Sequence, residues 1–186
     1  MADYSRRAFL GSAGAAALLA AGCANGVGNN NGAVIDARVD ATRDYLFSRY
    51  PGTRDLARDA RGVLFMPLVT EAGFGIGGAY GQGALRINDV TVDYYSAARA
   101  TIGFQIGAQQ YAHVLFFMTE KALGDFRRAD GWELGADARY ALPDGGAAIG
   151  TDTTTTLAPV VVQVFGQSGL IVGASLAGTK YTRILP

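Results

Sequence analysis

The chain has 186 residues, of which 49% are hydrophobic and 17% charged, and it contains 26 glycines. This length fits one domain behind a short targeting segment, and the composition is typical of a folded, glycine-rich β protein and not of a disordered chain. Lys plus Arg and Asp plus Glu balance at 16 each, which argues against a nucleic-acid-binding protein.

The N-terminus has the layout of an export signal. Ser5-Arg6-Arg7-Ala8-Phe9-Leu10 precedes an apolar run of small residues that ends at Gly22-Cys23. The paired Arg6 and Arg7 resemble a twin-arginine export signal. Leu19-Ala20-Ala21-Gly22-Cys23 resembles a bacterial lipobox, although Ala20 stands where leucine is usual. We therefore predict a signal peptide over residues 1–22 and acylation of Cys23. The alternative is an ordinary cleaved signal whose apolar run ends in cysteine.

The residues around the predicted acylation site indicate where the protein resides. Cys23 is the single cysteine, so the chain cannot form an intramolecular disulfide bond. Ala24 implies transfer of a bacterial lipoprotein to the outer membrane, with its domain in the periplasm. Residues 23–32 are rich in Asn and Gly and predict a lipidated, flexible tether. The apolar run is far shorter than the ~20 residues of a membrane-spanning helix, so we do not expect a retained transmembrane anchor. Residues 33–186 are predicted to form the folded domain.

Two helices are predicted at the start of this domain. Ile35, Val39, Leu46 and Tyr50 recur at helical spacing and predict an amphipathic helix over residues 34–50, ended by Pro51-Gly52. A shorter helix is predicted over residues 54–61, with Thr53 as its N-cap and Gly62 at its end.

After Gly62 the pattern changes to the period of two that is typical of β-strands. Glycine occupies nearly every second position over residues 73–84, so one face of that strand carries almost no side chains. Such a face indicates close backbone approach, strong bending, room for a ligand, or simple packing. The other predicted strands cover residues 63–66 before Pro67, 90–96, 102–108, 112–118, 132–141, 160–165, 168–174 and 179–185.

The order of these elements predicts the fold class. A short helix over residues 120–128 and a turn at residues 143–146 interrupt the strands. Strands about ten residues apart, with few helices, predict a β-dominant α+β fold. We expect a curved antiparallel glycine-rich sheet or partial barrel, with the N-terminal helices packed against it.

Residues that could support catalysis or metal binding are sparse. Gly73-x-Gly75-x-x-Gly78 matches the dinucleotide-binding pattern, but the following residues continue as strand and do not begin the helix that a nucleotide site needs. His113 is the single histidine and has no cysteine or carboxylate cluster beside it, so we interpret it as a core or surface histidine. Ser96 and Ser168 lack the nucleophile-elbow context. We predict a protein that is not an enzyme and has no metal or cofactor.

Arginines are the remaining candidates for ligand binding. The planar guanidinium suits phosphate, and each basic group near an anionic membrane contributes about 1 kcal/mol. Aspartates are interleaved with these arginines, so a solvated face of local ion pairs is the alternative interpretation. The candidate lipid-binding residues are Arg38, Arg43 and Arg49 in the first helix, and Arg54, Arg58 and Arg61 in the second.

From Ala60 to the C-terminus, the order of motifs resembles the SYLF domain, a lipid-binding family of bacteria and eukaryotes. The matching segments are Ala60-Arg61-Gly62-Val63-Leu64-Phe65-Met66-Pro67, Ala72-Gly73-Phe74-Gly75-Ile76-Gly77-Gly78, Gly81-Gln82-Gly83-Ala84-Leu85, Gly103-Phe104-Gln105-Ile106-Gly107, and residues 168–176. The resemblance implies binding of membrane lipids, which in eukaryotic members are phosphoinositides recognised by a basic N-terminal helix; some members also bind actin. Tyr94-Tyr95-Ser96-Ala97-Ala98 replaces the family's Trp-Ser-Ala-Pro-like element.

Two functional hypotheses follow from these patterns. The first is an envelope lipoprotein whose domain binds phospholipids, with anionic headgroups expected, or another amphiphile. The second is a structural or protein-interaction lipoprotein that contacts the membrane only through the acylated Cys23 and binds an envelope protein. The bacterial export signal argues against actin and phosphoinositides as partners, and an enzyme acting on lipids would need His113 to meet a serine and a carboxylate.

Overall fold

The structure, a computed structural model, describes residues 31–134, 138–140, 158–166, 169–170 and 176–186. The predicted export signal, the tether up to residue 30, the turn at residues 143–146 and most of the strand predicted over residues 168–174 lie outside them. The described helices are α1 (Asn31–Arg49), α2 (Gly52–Asp59) and α3 (Glu120–Arg128). The strands are β1 (Gly62–Ile87), β2 (Val90–Phe117), β3 (Trp132–Glu133), β4 (Ala138–Tyr140), β5 (Val160–Gly166), β6 (Gly169–Leu170) and β7 (Lys180–Ile184).

The N-terminal helices form where they were predicted, with different ends. Helix α1 begins at Asn31, ahead of the predicted Val34. Helix α2 begins at Gly52, so the prediction of Thr53 as its N-cap is wrong. Thr53 lies inside the first turn, where its hydroxyl donates to the carbonyl of Tyr50 at 2.7 Å. The turn between the helices is therefore tighter than predicted, and Thr53 joins α2 to the end of α1.

A single long hairpin, β1–β2, makes up most of the sheet. The strands pair from Gly62 opposite Phe117 to Ile87 opposite Val90. Asn88 and Asp89 have φ angles of 51° and 64°, the left-handed conformation that a two-residue hairpin turn requires. Pro67 does not end the first strand as predicted, because it lies at a register shift between Met66 and Val69, where the ladder needs no N–H donor.

Strand β2 is central to the sheet. One edge of β2 pairs with β1. The other edge pairs with β7 at residues 94–98 and with β5 at residues 111–117. The sheet order is β3-β7-β2-β5-β4, with β1 also on β2 and β6 on β5. All pairs are antiparallel except β4–β5. The result is a seven-stranded curled half-barrel, which confirms the predicted β-dominant α+β class.

The β1–β2 hairpin is folded back on itself at its glycine-rich middle. A Cβ on Gly73 would lie 2.6 Å from the Cα of Gly77, so β1 turns sharply between them. Beyond this bend the strand returns along its own first part, and a Cβ on Gly83 would overlap the carbonyl oxygen of Phe65. The glycine face therefore serves bending and close backbone approach, which are two of the predicted explanations.

Both faces of the sheet are buried along the first residues of β1 and the last residues of β2. On one face, α1 and α2 cover a helix-side cluster that includes Ile35, Leu46, Val114, Phe116 and Phe165. On the other, the two halves of the hairpin and α3 enclose an inner cluster that includes Leu64, Leu115, Phe117, Phe126 and Tyr181. Successive residues of β2 alternate between the two clusters because strand side chains point to opposite faces. The continuous apolar run at the end of β2 follows from this double burial.

Candidate functional site

A pocket lies between α1 and the sheet, beside the register shift at Pro67. Its volume is about 210 Å³. The Tyr45 ring forms one wall and stacks on Phe165, with ring centroids 5.8 Å apart. Aliphatic and aromatic groups dominate the lining, as in sites that take apolar ligands. We call this the α1 pocket; it is lined by Ala41, Thr42, Tyr45, Pro67, Leu68, Gln110, Tyr111, Ala112, Phe165 and Gly166.

Helix α1 is held against the hairpin by a row of charged residues on one flank. Asp36 accepts hydrogen bonds from the hydroxyls of Thr91 and Tyr94, each at 2.8 Å. Asp40 pairs with the buried Arg86 at 2.7 Å. We call Asp36, Asp40 and Arg43 the docking row; spacings of four and three residues align them along the helix.

Arg43, a predicted lipid-binding residue, belongs to this docking row. Its guanidinium donates to both carboxylate oxygens of Asp89 in the hairpin turn, at 2.8 and 2.6 Å, and also contacts Asp44. The hydrogen bond to Asp89 raises the pKa of Arg43 above its ordinary value. The structure thus places Arg43 in a carboxylate network that fastens α1 to the hairpin turn.

The opposite flank of α1 faces the α1 pocket and carries no acid. Arg38, Thr42, Tyr45 and Arg49 follow one another at helical spacing, so an arginine lies about one helical turn on either side of the pocket wall. Arg38 and Arg49 are exposed, and neither belongs to the ion pairs formed among the residues that the structure describes. Arg49 lies over the Tyr50 ring at 5.6 Å. We call Arg38 and Arg49 the flanking arginines.

The other predicted arginines lie around α2. Arg54 and Arg58 are exposed on the helix, and Arg61 lies beyond its end. Arg58 pairs with Asp55, Arg61 approaches Glu120 at 3.7 Å, and Arg54 lies 5.9 Å from the centre of the Phe47 ring. Phe47 lies on the same flank of α1 as the docking row, so Arg54, which contacts it, lies away from the α1 pocket. The structure does not bring the six arginines together as one surface.

The residues considered for catalysis occupy structural positions. His113 is fully buried, and its Nε2 lies 2.9 Å from the hydroxyl of Tyr181. Burial lowers the pKa of His113 from 6.5 to about 3. Ser96 donates to the carbonyl of Thr182 at 3.4 Å, whereas Ser168 lies outside the described residues. Gly73, Gly75 and Gly78 are in β1.

The described part of the chain contains neither a candidate membrane-spanning helix nor a candidate metal-binding cluster. Within it, no helix has the length and apolarity needed to cross a membrane. Residues 31–134 and the described segments after them contain no group of three or more His, Cys, Asp or Glu side chains that could hold a metal ion. Cys23, Arg6 and Arg7 lie outside the described residues.

The fold and the site define a class of protein: a β-dominant domain with a curled sheet, on which a helix packs through its buried apolar residues and forms one wall of an apolar pocket. Residues 98–183 match the model of the Ysc84 family, described as "Las17-binding protein actin regulator". This match over residues 98–183 confirms the SYLF resemblance identified in the sequence. The family is associated with lipid or actin-related binding. No curated protein matches the chain.

Sequence reasoning missed the α1 pocket. Its walls come from α1, from the Pro67 irregularity in β1 and from β5, which are distant in sequence. One available signal was Tyr45, a large aromatic residue between two arginines on the same flank of the helix. A helical projection of α1 would also have separated the acidic docking row from the flanking arginines.

Proposed function

We propose that this protein is a bacterial envelope lipoprotein whose SYLF domain binds phospholipid, or another anionic amphiphile, at the α1 pocket without catalysing a reaction. The observation that carries the proposal is the apolar α1 pocket between two arginines, on a flank of α1 that has no carboxylate. An acyl chain is the ligand segment that suits the pocket lining. A phosphate group at the pocket mouth suits Arg38 and Arg49.

The magnitudes indicate how such a ligand is held. Burial of each CH₂ group contributes about 0.8 kcal/mol, and each arginine near an anionic headgroup about 1 kcal/mol. Burial of three methylene groups therefore contributes about as much binding free energy as the two flanking arginines together. We expect the pocket to provide most of the affinity and the arginines to select the headgroup.

Export and acylation would bring this domain to a membrane. A twin-arginine signal with Arg6 and Arg7 would export the chain, and acylation of Cys23 would anchor it in the outer membrane with the domain in the periplasm. A lipid-binding domain would supply a further membrane contact.

Flotation with lipid vesicles tests this function. The full chain carrying Cys23→Ala, which cannot be acylated, is mixed with anionic or neutral phospholipid vesicles at about 0.01 M and about 1 M salt, where the Debye length falls from about 30 Å to about 3 Å. We expect binding to anionic vesicles that weakens, without vanishing, at high salt. An absence of binding at low salt would refute the proposal.

Variants separate the flanking arginines from the other basic residues. Arg38→Gln with Arg49→Gln should weaken binding to anionic vesicles about tenfold or more, since together they contribute about 2 kcal/mol. Arg54→Gln with Arg58→Gln removes the same charge from α2 and is the matched control. Equal losses in both pairs would indicate attraction by general charge and would contradict headgroup recognition at the α1 pocket.

A second function follows from the description of the family. "Las17-binding" names a protein partner of that family, and the corresponding proposal here is an interaction protein that contacts the membrane only through Cys23. Affinity capture from envelope extracts, together with the vesicle experiment, tests this alternative. A defined protein partner in the absence of vesicle binding would favour it.

A further inference from the structure

The bend of the long hairpin forms a distinct surface feature. We define the ribbon corner as residues 72–78 of β1 and 100–108 of β2, which pair with each other on both sides of a register shift between Gly73 and Gly75. At its base, Glu71 of β1 and Arg99 of β2 form an ion pair of 2.9 Å. In a straight ribbon these residues would be about eight positions apart, or roughly 26 Å. The ion pair therefore connects the two halves of the hairpin on the inner side of the bend.

The ribbon corner contains no charged residue. The sequences of its two strands are Ala-Gly-Phe-Gly-Ile-Gly-Gly and Ala-Thr-Ile-Gly-Phe-Gln-Ile-Gly-Ala. Ile76 is 77% exposed, more than almost any other large apolar side chain that the structure describes. Single exposed apolar residues are common on proteins. An uncharged ribbon with an exposed isoleucine at its bend is a more specific feature and indicates an apolar partner.

Polar and amphipathic residues lie next to the ribbon corner. Tyr80 is 55% exposed, and an open depression beside the bend is lined by residues that include Gly77, Gly78, Tyr80 and Lys180. Tyrosine and lysine are side chains that reach the headgroup level of a bilayer while apolar residues beside them lie deeper. On the protein surface, the apolar bend is followed by Tyr80 and Lys180. Across a bilayer, the acyl chains are followed by the headgroups in the same order.

The ribbon corner is also close to the α1 pocket along the same two strands. Leu68 and Gln110 line the pocket, and Gly73 and Ala108 lie in the corner. Leu68 and Gly73 are about five strand residues apart, or roughly 17 Å. One bilayer surface can therefore contact both features.

We infer that the ribbon corner is a second membrane contact, which enters the lipid headgroup region with Ile76 foremost; this inference rests on the proposed lipid-binding function. Backbone N–H and C=O groups along the free edge of a two-stranded ribbon need water or other polar partners. Insertion therefore stops at interfacial depth and does not reach the hydrocarbon centre. The partner is the bilayer itself, not one bound lipid molecule.

Site-specific fluorescence tests this inference. Cys23 is the single cysteine, so the full chain with Cys23→Ala accepts one new cysteine at a chosen position. Ile76→Cys is labelled with a polarity-sensitive dye and mixed with anionic vesicles, with and without spin-labelled lipids that quench at headgroup depth. Val90→Cys, at the turn end of the same hairpin and 63% exposed, is the matched control. We expect a blue shift and quenching at position 76 and neither at position 90.

The possible outcomes separate this inference from the function on which it rests. Vesicle flotation with no change at position 76 would refute the membrane-contacting corner and leave lipid binding at the α1 pocket intact. No flotation at all would refute both. A blue shift at position 76 that grows with protein concentration in the absence of vesicles would overturn the inference in favour of a contact between two copies of the chain.

An unlabelled variant gives a second readout. Ile76→Glu places a charge on an exposed side chain, so the free energy of unfolding should stay nearly constant while vesicle binding weakens about tenfold. Val90→Glu should change neither property. An unchanged affinity in Ile76→Glu would contradict the inference.

Discussion

His113 shows how a single buried side chain can control the response of the fold to pH. The imidazole lies in the inner face of β2, with Nε2 against the hydroxyl of Tyr181. Its Nδ1 has no hydrogen-bond partner among the described residues. Desolvation therefore strongly disfavours the charged form, which is why the pKa lies at about 3.

The lowered pKa predicts acid sensitivity. The unfolded chain takes up a proton on His113 below about pH 6.5, whereas the folded protein does not until about pH 3, so the free energy of unfolding falls as the pH drops through this range. From about pH 7.5 to about pH 4.5 the loss attributable to His113 should be about 3 kcal/mol. Urea denaturation of the wild type and of His113→Gln at both pH values measures the difference. Equal pH dependence in the two proteins would contradict this account.

Gly83 is the residue where the folded hairpin leaves least space. A Cβ there would overlap the carbonyl oxygen of Phe65 and lie 2.6 Å from the sulfur of Met66. Gly83→Ala should destabilise the protein by about 3 kcal/mol or more, because backbone has to move. Gly78→Ala is the control, since its Cβ would meet only the carbonyl of Arg99 at 3.4 Å. Thermal denaturation of both variants measures the contrast, and similar melting temperatures would argue against the close approach.

At the scale of elements, α1 contacts the hairpin through the docking row as well as through its buried apolar residues. Asp40→Asn removes the closer carboxylate from the buried Arg86, leaving Asp89 at 3.4 Å. We expect a loss of about 2 kcal/mol and faster hydrogen exchange in α1. Asp44→Asn removes an exposed charge of the same helix and should cost under about 1 kcal/mol. Unchanged exchange in Asp40→Asn would show that apolar burial alone holds the helix.

The elements themselves were largely predictable from sequence. The helical spacing of Ile35, Val39 and Leu46 located α1, and α3 occupies the predicted residues 120–128. Three predicted strands over residues 90–118 proved to be one, because no residue between them interrupts the ladder. Pattern analysis locates apolar segments well, but it does not determine whether neighbouring segments are joined through uncharged small residues such as Ala97 and Ala98.

The candidate site was less predictable because it depends on contacts between distant segments. The α1 pocket requires β5 to lie beside the end of β2, which brings Phe165 under Tyr45. No local pattern specifies that pairing. The charges of α1 are different: their separation into a docking row and flanking arginines follows from helical geometry alone, and the interleaved order along the sequence conceals it.

For the whole molecule, net charge is a poor guide to what the surface can bind. The basic and acidic residues of the chain balance, yet on α1 the carboxylates of the docking row face the hairpin and the flanking arginines face solvent. Attraction to an anionic surface therefore depends on where the charges lie.

The proposed export route gives a prediction for the complete chain in cells. Arg6→Lys with Arg7→Lys should retain the precursor in the cytoplasm, because the twin-arginine pair would be lost. Cys23→Ala should instead allow export while removing the acyl anchor, shifting the protein toward the soluble periplasmic fraction. Cell fractionation with metabolic fatty-acid labelling measures both effects. Export of the double lysine variant at the normal rate would point to a general secretory signal.

The tight turn at Asn88-Asp89 has a practical consequence for work on this domain. The tip of a long hairpin is ordinarily a favoured place for protease cleavage and for the insertion of tags or fusion partners. Here Arg43 binds Asp89 in that tip, and Arg86 and Thr91 on either side of it are tied to the same helix. The exposed Leu185 near the C-terminus is the better attachment point, because a peptide inserted at the turn would detach α1 and disrupt the α1 pocket.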